Sequence, residues 1–110
     1  MSWKDRAGNF WLLGGYGYAQ VGQFGDLNDL WEYNIGSGVW TWIGGSPSTA
    51  AYGTYGTQGI AASSNTPGAR EQAVGWLDSS DNFWLFGGFG FDSSDGNNNL
   101  NDLWRFTQSP

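Results

Sequence analysis

The sequence predicts an all-β fold made from two copies of one antiparallel unit. Three observations carry this. First, the chain repeats itself at a constant offset of 73 residues: FWLLGGYG at 10–17 returns as FWLFGGFG at 83–90, and LNDLW at 27–31 returns unchanged at 100–104. Comparing residues 2–37 with 75–110, fourteen of the 36 positions are identical. Units repeated at a fixed period stack on one another, because one copy cannot bury its own faces alone. Second, no long window has apolar residues at helical spacing, and glycine interrupts every candidate. The apolar runs are short, aromatic or β-branched, and bounded by Gly, Asn, Asp and Ser, which is the pattern of strands. Third, 8 Trp, 5 Tyr and 7 Phe stand beside 19 Gly in 110 residues. A disordered chain lacks such aromatics, and the glycines suit many tight turns.

In chain order, a stub at 2–4 precedes strands at 9–14, 29–34 and 39–43. A Gly- and Ser-rich connection follows, then strands at 70–77, 82–87 and 102–107. Asp5–Arg6–Ala7–Gly8 and Asp78–Ser79–Ser80–Asp81 read as matching hairpin loops, because Asp and Gly tolerate positive φ and Asp bonds its own backbone. Gly36–Ser37–Gly38 reads as a second tight turn. Strand alternation puts Trp31 and Tyr33 on one face with Leu30 and Glu32 on the other. It likewise puts Trp40 and Trp42 together, opposite Val39, Thr41 and Ile43. Phe10–Trp11–Leu12–Leu13 is apolar on both faces, so the sheet is expected to lie between other sheets like itself. The chain divides into a first unit at 1–45, a connection at 46–69 and a second unit at 70–110.

Composition excludes several function classes. Four basic residues against ten acidic ones give a net charge of −6, which argues against nucleic acid and anionic membrane surfaces as partners. No apolar run approaches the length of a membrane-spanning helix, and the first ten residues lack the apolar segment of a secretory leader. The compartment is left open. There is no Cys and no His, hence no disulfide, no thiolate site, and neither the commonest general base nor the commonest transition-metal ligand.

Taken together, the motifs resemble the kelch repeat in its long bacterial form. They are a strand ending in a glycine pair (Leu12–Leu13–Gly14–Gly15 and Leu85–Phe86–Gly87–Gly88), then LNDLW with an aromatic two residues on (Tyr33, Phe106), then a Trp-bearing strand at 39–43. PGAR at 67–70, just before the next strand, fits the same pattern. The resemblance covers nearly the whole chain and occurs twice in register. It implies a β-propeller of four-stranded antiparallel blades around a channel. In that scheme the glycine pairs make room for the Trp and Tyr rings of a neighbouring strand or blade. The first blade has a truncated first strand, and the second, stopping at Thr107–Gln108–Ser109–Pro110, lacks its fourth. A propeller of 4–8 blades needs more than two. Open edges and bare apolar faces recruit other chains, so the expected partner is the chain itself, in a closed ring or a filament. A segment of a longer propeller enzyme is the less favoured alternative.

No catalytic residue, cofactor or metal is expected. The copper oxidases with kelch-like blades use histidine and a cysteine-crosslinked tyrosine, and both are missing here. Asp5 and Asp78 read as turn residues, and Asp29 and Asp102 as caps where strands begin, so no carboxylate pair is set against an apolar pocket. The loop at 92–99 offers oxygen ligands, but it lacks EF-hand spacing and a closing Glu. Its first-copy counterpart keeps only Asp26, so a solvated loop is the better reading than calcium. Arg70 is expected to tie loop carbonyls or a carboxylate. Arg105 occupies the position of Glu32 in the repeat, so the two could pair between neighbouring units.

The expected function is therefore a non-enzymatic scaffold or interaction module. Trp3, Trp11, Trp31, Trp40, Trp42, Trp76, Trp84 and Trp104, with Gly14, Gly15, Gly87 and Gly88, carry packing and assembly. The alternative is glycan binding by Tyr16 and Tyr18 with their counterparts Phe89 and Phe91, read as loop aromatics that stack on sugar rings.

Overall fold

The structure, a computed structural model, describes residues 1–20 and 22–108. Val21, in the first-copy loop, and Ser109 and Pro110, which close the second predicted unit, lie outside it. The described residues are all-β, without a helix. The strands are β1 (Ser2–Lys4), β2 (Phe10–Tyr18), β3 (Phe24–Asn34), β4 (Val39–Gly44), β5 (Arg70–Glu71), β6 (Val74–Leu77), β7 (Asn82–Gly90) and β8 (Asn98–Thr107). They form two antiparallel sheets of four strands each. The first runs β1-β2-β3-β4. In the second, β5 and β6 lie end to end on one edge of β7, and β8 lies on the other.

Three strand expectations are corrected. The strand expected at 70–77 is broken after Glu71, because Gln72 adopts a φ of +59°, a left-handed conformation that ends a β ladder locally. The glycine pairs do not end strands: β2 and β7 run on through them to Tyr18 and Gly90. Asp29 and Asp102 do not sit where strands begin, since β3 starts at Phe24 and β8 at Asn98.

The last two corrections share one cause. Leu13 pairs with Leu30 and Gly15 with Leu27, so Gly14 alone faces Asn28 and Asp29. In the second sheet Phe86 pairs with Leu103 and Gly88 with Leu100, so Gly87 alone faces Asn101 and Asp102. The two repeated motifs are thus the two sides of one β-bulge, which bends the strand and re-aims its side chains. Gly14 has a φ of +60°, and a Cβ there would stand 2.6 Å from the Leu27 carbonyl oxygen and 3.0 Å from that of Arg70. Gly87 is equivalent, at +68° and 2.9 Å from the Leu100 oxygen. The space these glycines leave is taken by backbone, not by the aromatic rings expected there.

The sheets stack through one face each. Trp3, Trp11 and Leu13 of the first meet Phe83 and Leu85 of the second, with Phe106, Trp104, Leu30 and Leu77 at the margin. Trp3 stacks on Phe83 at 5.2 Å between ring centroids, and Trp11 tilts onto the same ring at 5.0 Å. Gly75 lies beneath the Trp3 indole nitrogen, at 2.9 Å from where its Cβ would be. The connection between the sheets is pinned to both. Ala50 N–H donates to the Asp26 carbonyl and Gly53 N–H to that of Asp92, and Thr54 bridges to Thr66.

The radius of gyration is 13.5 Å, the size of one packed domain of this length (roughly 13 Å). Yet among the described residues six hydrophobic ones are buried, against sixteen large ones left exposed. Five of those six form the stacked face; the sixth, Ala69, lies outside that cluster.

Candidate functional site

The two outer sheet faces hold most of the exposed aromatic residues. On the first sheet, cross-strand pairing aligns Phe10, Tyr33 and Trp40 in one row and Leu12, Trp31 and Trp42 in the next. The Tyr33 and Trp40 rings lie 5.1 Å apart, and Phe10 stacks on Tyr33 at 6.3 Å. Trp40 and Trp42 are half exposed, at 51 % and 50 %. On the second sheet, Trp76 and Trp84 stack at 6.2 Å with parallel planes, and the Arg105 guanidinium lies 5.8 Å from the Trp84 ring centre. Beside them runs the row Val74, Phe86, Leu103, all exposed. Single surface hydrophobics are ordinary; contiguous rows of this kind are what makes these faces the candidate site.

The eight tryptophans therefore divide. Trp3 and Trp11 are buried between the sheets, and Trp104 packs at that core's edge. Trp31, Trp40, Trp42, Trp76 and Trp84 lie on the outer faces. The indoles of Trp11 and Trp84 are fixed by the hairpin aspartates, which do more than shape their turns. Trp11 Nε1 donates to Asp5 Oδ2 at 2.9 Å, and Trp84 Nε1 to Asp78 Oδ2 at 2.7 Å. The other oxygen of each carboxylate accepts from the backbone N–H four residues on, Asn9 and Asn82. Burial works against the Asp5 carboxylate, but the bonds from Trp11, Asn9 and Gln108 outweigh it and keep its pKa below the ordinary value. The Trp84 and Asn82 bonds hold Asp78 well below that range. The bulge aspartates do the same two residues away: Trp31 Nε1 donates to Asp29 and Trp104 Nε1 to Asp102, at 2.7 and 2.8 Å. The signal in the sequence was the constant spacing of Asp and Trp in both copies.

The first sheet is one strand wider than the second. β4 consequently overhangs, exposed from Val39 to Ile43, and β8 has no partner on its outer edge among the described residues. Beneath the overhang is an open cavity of about 330 Å³, lined by Trp11, Glu32, Ile43, Phe106 and Gln108. Glu32 thus faces the space between the sheets while Arg105 faces outward; they do not pair within the chain.

The four aromatics expected in loops for glycan stacking are strand residues in three cases of four. Tyr16 and Tyr18 lie in β2 and Phe89 in β7, with Phe91 just beyond it. Tyr16 and Tyr18 flank Phe24 at 4.8 and 4.7 Å, forming an exposed ridge. Their counterparts form no such ridge: Phe89 is half-buried, and Phe91 packs edge-on against Tyr52 at 5.8 Å.

Two polar clusters lie inside. Arg70, buried, donates to the carbonyls of Gly68 and Gly87 and to both oxygens of Asp102. The Tyr55 hydroxyl adds a 2.7 Å bond to Asp102. Burial and the Asp102 charge push the Tyr55 pKa up to about 12. Arg70 therefore ties carbonyls and a carboxylate, as its place in PGAR suggested. Asp26 is buried, and burial together with neighbouring Glu71 pushes its pKa up to about 6. In the loop at 92–99, Asp92 accepts from the N–H groups of Ser94 and Asp95, closing the loop on itself. Among the described residues, no group of three or more acidic side chains is placed to hold a metal ion.

Compared with protein-family models, curated proteins and solved structures, the chain matches none.

Proposed function

We propose that this chain is a non-enzymatic, self-assembling scaffold or protein-interaction module. Its two sheets serve as kelch-type propeller blades and are completed by further copies. The supporting observation is that each sheet buries one apolar face within the chain and leaves a second one, equally aromatic, uncovered. Burial of apolar area is worth roughly 25 cal/mol per Å², so covering these faces drives association. The unpaired edge of β8 offers backbone groups to the same end. Absolute mass from light scattering on a gel-filtration column tests the reading. A discrete multiple of 12.0 kDa would mean a closed ring, and a very large polydisperse species an open filament. A folded monomer up to high concentration would overturn it.

The Tyr16–Phe24–Tyr18 ridge favours a second reading, a carbohydrate-binding module. Exposed, mutually braced rings present flat apolar surfaces to a sugar at low entropic cost. Retention on a glycan array, lost in Tyr18→Ala, would support it; no retention on any glycan removes it.

A further inference from the structure

The repeat relates the buried faces to the bare ones. Shifting by 73 residues carries Trp3 and Trp11, on the inner face of the first sheet, onto Trp76 and Trp84, on the outer face of the second. The same shift carries Phe10, Leu12 and Tyr33, on the outer face of the first sheet, onto Phe83, Leu85 and Phe106, on the inner face of the second. Each uncovered face is thus the copy of a face already buried inside the chain, and the two are copies of opposite partners in that contact.

We propose that the outer face of the second sheet docks on the outer face of the first sheet of another copy. The contact is head to tail and repeats the stacking the two sheets make within one chain. The inference rests on the self-assembly reading above and adds its geometry. Trp76 then stacks on Phe10 of the next copy as Trp3 stacks on Phe83, and Trp84 covers Phe10 and Tyr33 as Trp11 covers Phe83 and Phe106.

Charge agrees with this pairing and opposes the alternative. The position held by Glu32 in the inner contact is held by Arg105 on the bare face. A guanidinium is favoured over the rings of half-buried Tyr33 and exposed Trp40. Two second-sheet faces meeting each other would bring Arg105 against Arg105. The smallest sites also correspond: Gly75, which admits Trp3, is matched by Ser2, which faces the incoming Trp76. A contact between unlike faces leaves one of each free on every dimer, so it propagates until the rotation closes or a filament forms.

Two variants test this, each blocking one face at exposed positions. Phe10→Lys/Leu12→Lys blocks the first sheet, and Val74→Lys/Leu103→Lys the second. Near-ultraviolet circular dichroism checks that each stays folded. Light scattering is then run on each alone and on an equimolar mixture. The expected result is a 12.0 kDa monomer for each alone, with self-association weakened by about 100-fold or more, and a 1:1 dimer stopping at two chains in the mixture. A dimer formed by either variant alone would overturn the head-to-tail contact while leaving self-assembly standing. So would two variants that assemble like the parent. A parent chain that is monomeric throughout would sink both.

Discussion

Arg70 grips Asp102 with both terminal nitrogens, Nη1 to Oδ1 at 2.6 Å and Nη2 to Oδ2 at 2.9 Å. The bulge at Asn101–Asp102 brings the carboxylate to the guanidinium, and the interrupted strand β5 brings the guanidinium to it. Removing one partner of a buried pair leaves the other uncompensated, at a cost of about 3–5 kcal/mol. Arg70→Met also strips donors from the Gly68 and Gly87 carbonyls. Denaturant unfolding should therefore show a loss of about that size, and a loss below about 1 kcal/mol would mean that the pair acts as an exposed one. Burial opposes the charge on Asp102, but the bonds from Arg70, Trp104 and Tyr55 prevail and bring its pKa from 3.8 to about 2. This stabilisation is therefore complete above 3.8 and is lost as pH falls through about 2.

Asp26 has the opposite dependence. Its pKa is raised from 3.8 to about 6, by burial first and by Glu71 second, and Oδ1 has no hydrogen-bond partner. The folded state holds this proton more tightly than the unfolded chain, so its contribution is complete below 3.8 and is lost as pH rises through about 6. Asp26→Asn should then be more stable than the parent at pH 7, by on the order of 2 kcal/mol. The gain should shrink toward zero near pH 4. Equal stability at pH 7 would show that the two carboxyls are relaxed by solvent.

Asp5 and Asp78 make the same indole bond in different surroundings. Asp5 is buried against the packed face and also accepts from Gln108 at 3.3 Å, whereas the Asp78–Trp84 bond is on the outer side. Asp5→Ala leaves the Trp11 indole N–H buried without an acceptor, costing about 1–3 kcal/mol. Asp78→Ala lets water replace the carboxylate and should cost clearly less. Matched unfolding curves for the pair decide it. Equal losses would mean that the turn, not the indole bond, is what each Asp supplies.

The all-β class, the hairpin loops and the strand faces were legible because alternation and repetition are local signals. Trp31 with Tyr33, and Trp40 with Trp42, fall on the faces that alternation assigned. The bulge was not legible. LNDLW alone reads as a strand start, and its extra residue acquires meaning only opposite Gly14, thirteen or more positions away. The break after Glu71 depends on a left-handed Gln72, which no propensity marks. For the candidate surface, sequence nominated all eight tryptophans equally. Which of them are buried depends on which face of each sheet finds a partner, a tertiary fact that composition cannot carry.

The bulge itself can be tested at neighbouring glycines. Gly14 and Gly15 both have positive φ, +60° and +107°, but a Cβ on Gly14 meets two carbonyl oxygens and one on Gly15 meets nothing within 4 Å. Gly15→Ala should show the conformational penalty alone, about 1–2 kcal/mol. Gly14→Ala adds the clash and should cost more, with the bulge displaced. The reverse order would mean that backbone conformation, not close approach, fixes this position.

Trp40 and Trp42 separate assembly from folding. Both are half exposed on an edge strand of the first sheet and contribute nothing to the core beneath it. Trp40→Ala/Trp42→Ala should therefore leave unfolding within about 1 kcal/mol of the parent, as surface changes do. On the proposed assembly, self-association should weaken by about 10-fold or more, because large aromatic anchors dominate interfaces. Trp11→Ala should do the reverse, costing about 3–5 kcal/mol of stability as a buried Trp truncation. It removes a ring that touches both Phe83 and Phe106. Loss of all β signal in the Trp40/Trp42 variant would place these rings in the folding core, and the outer face would then not be free for the proposed contact.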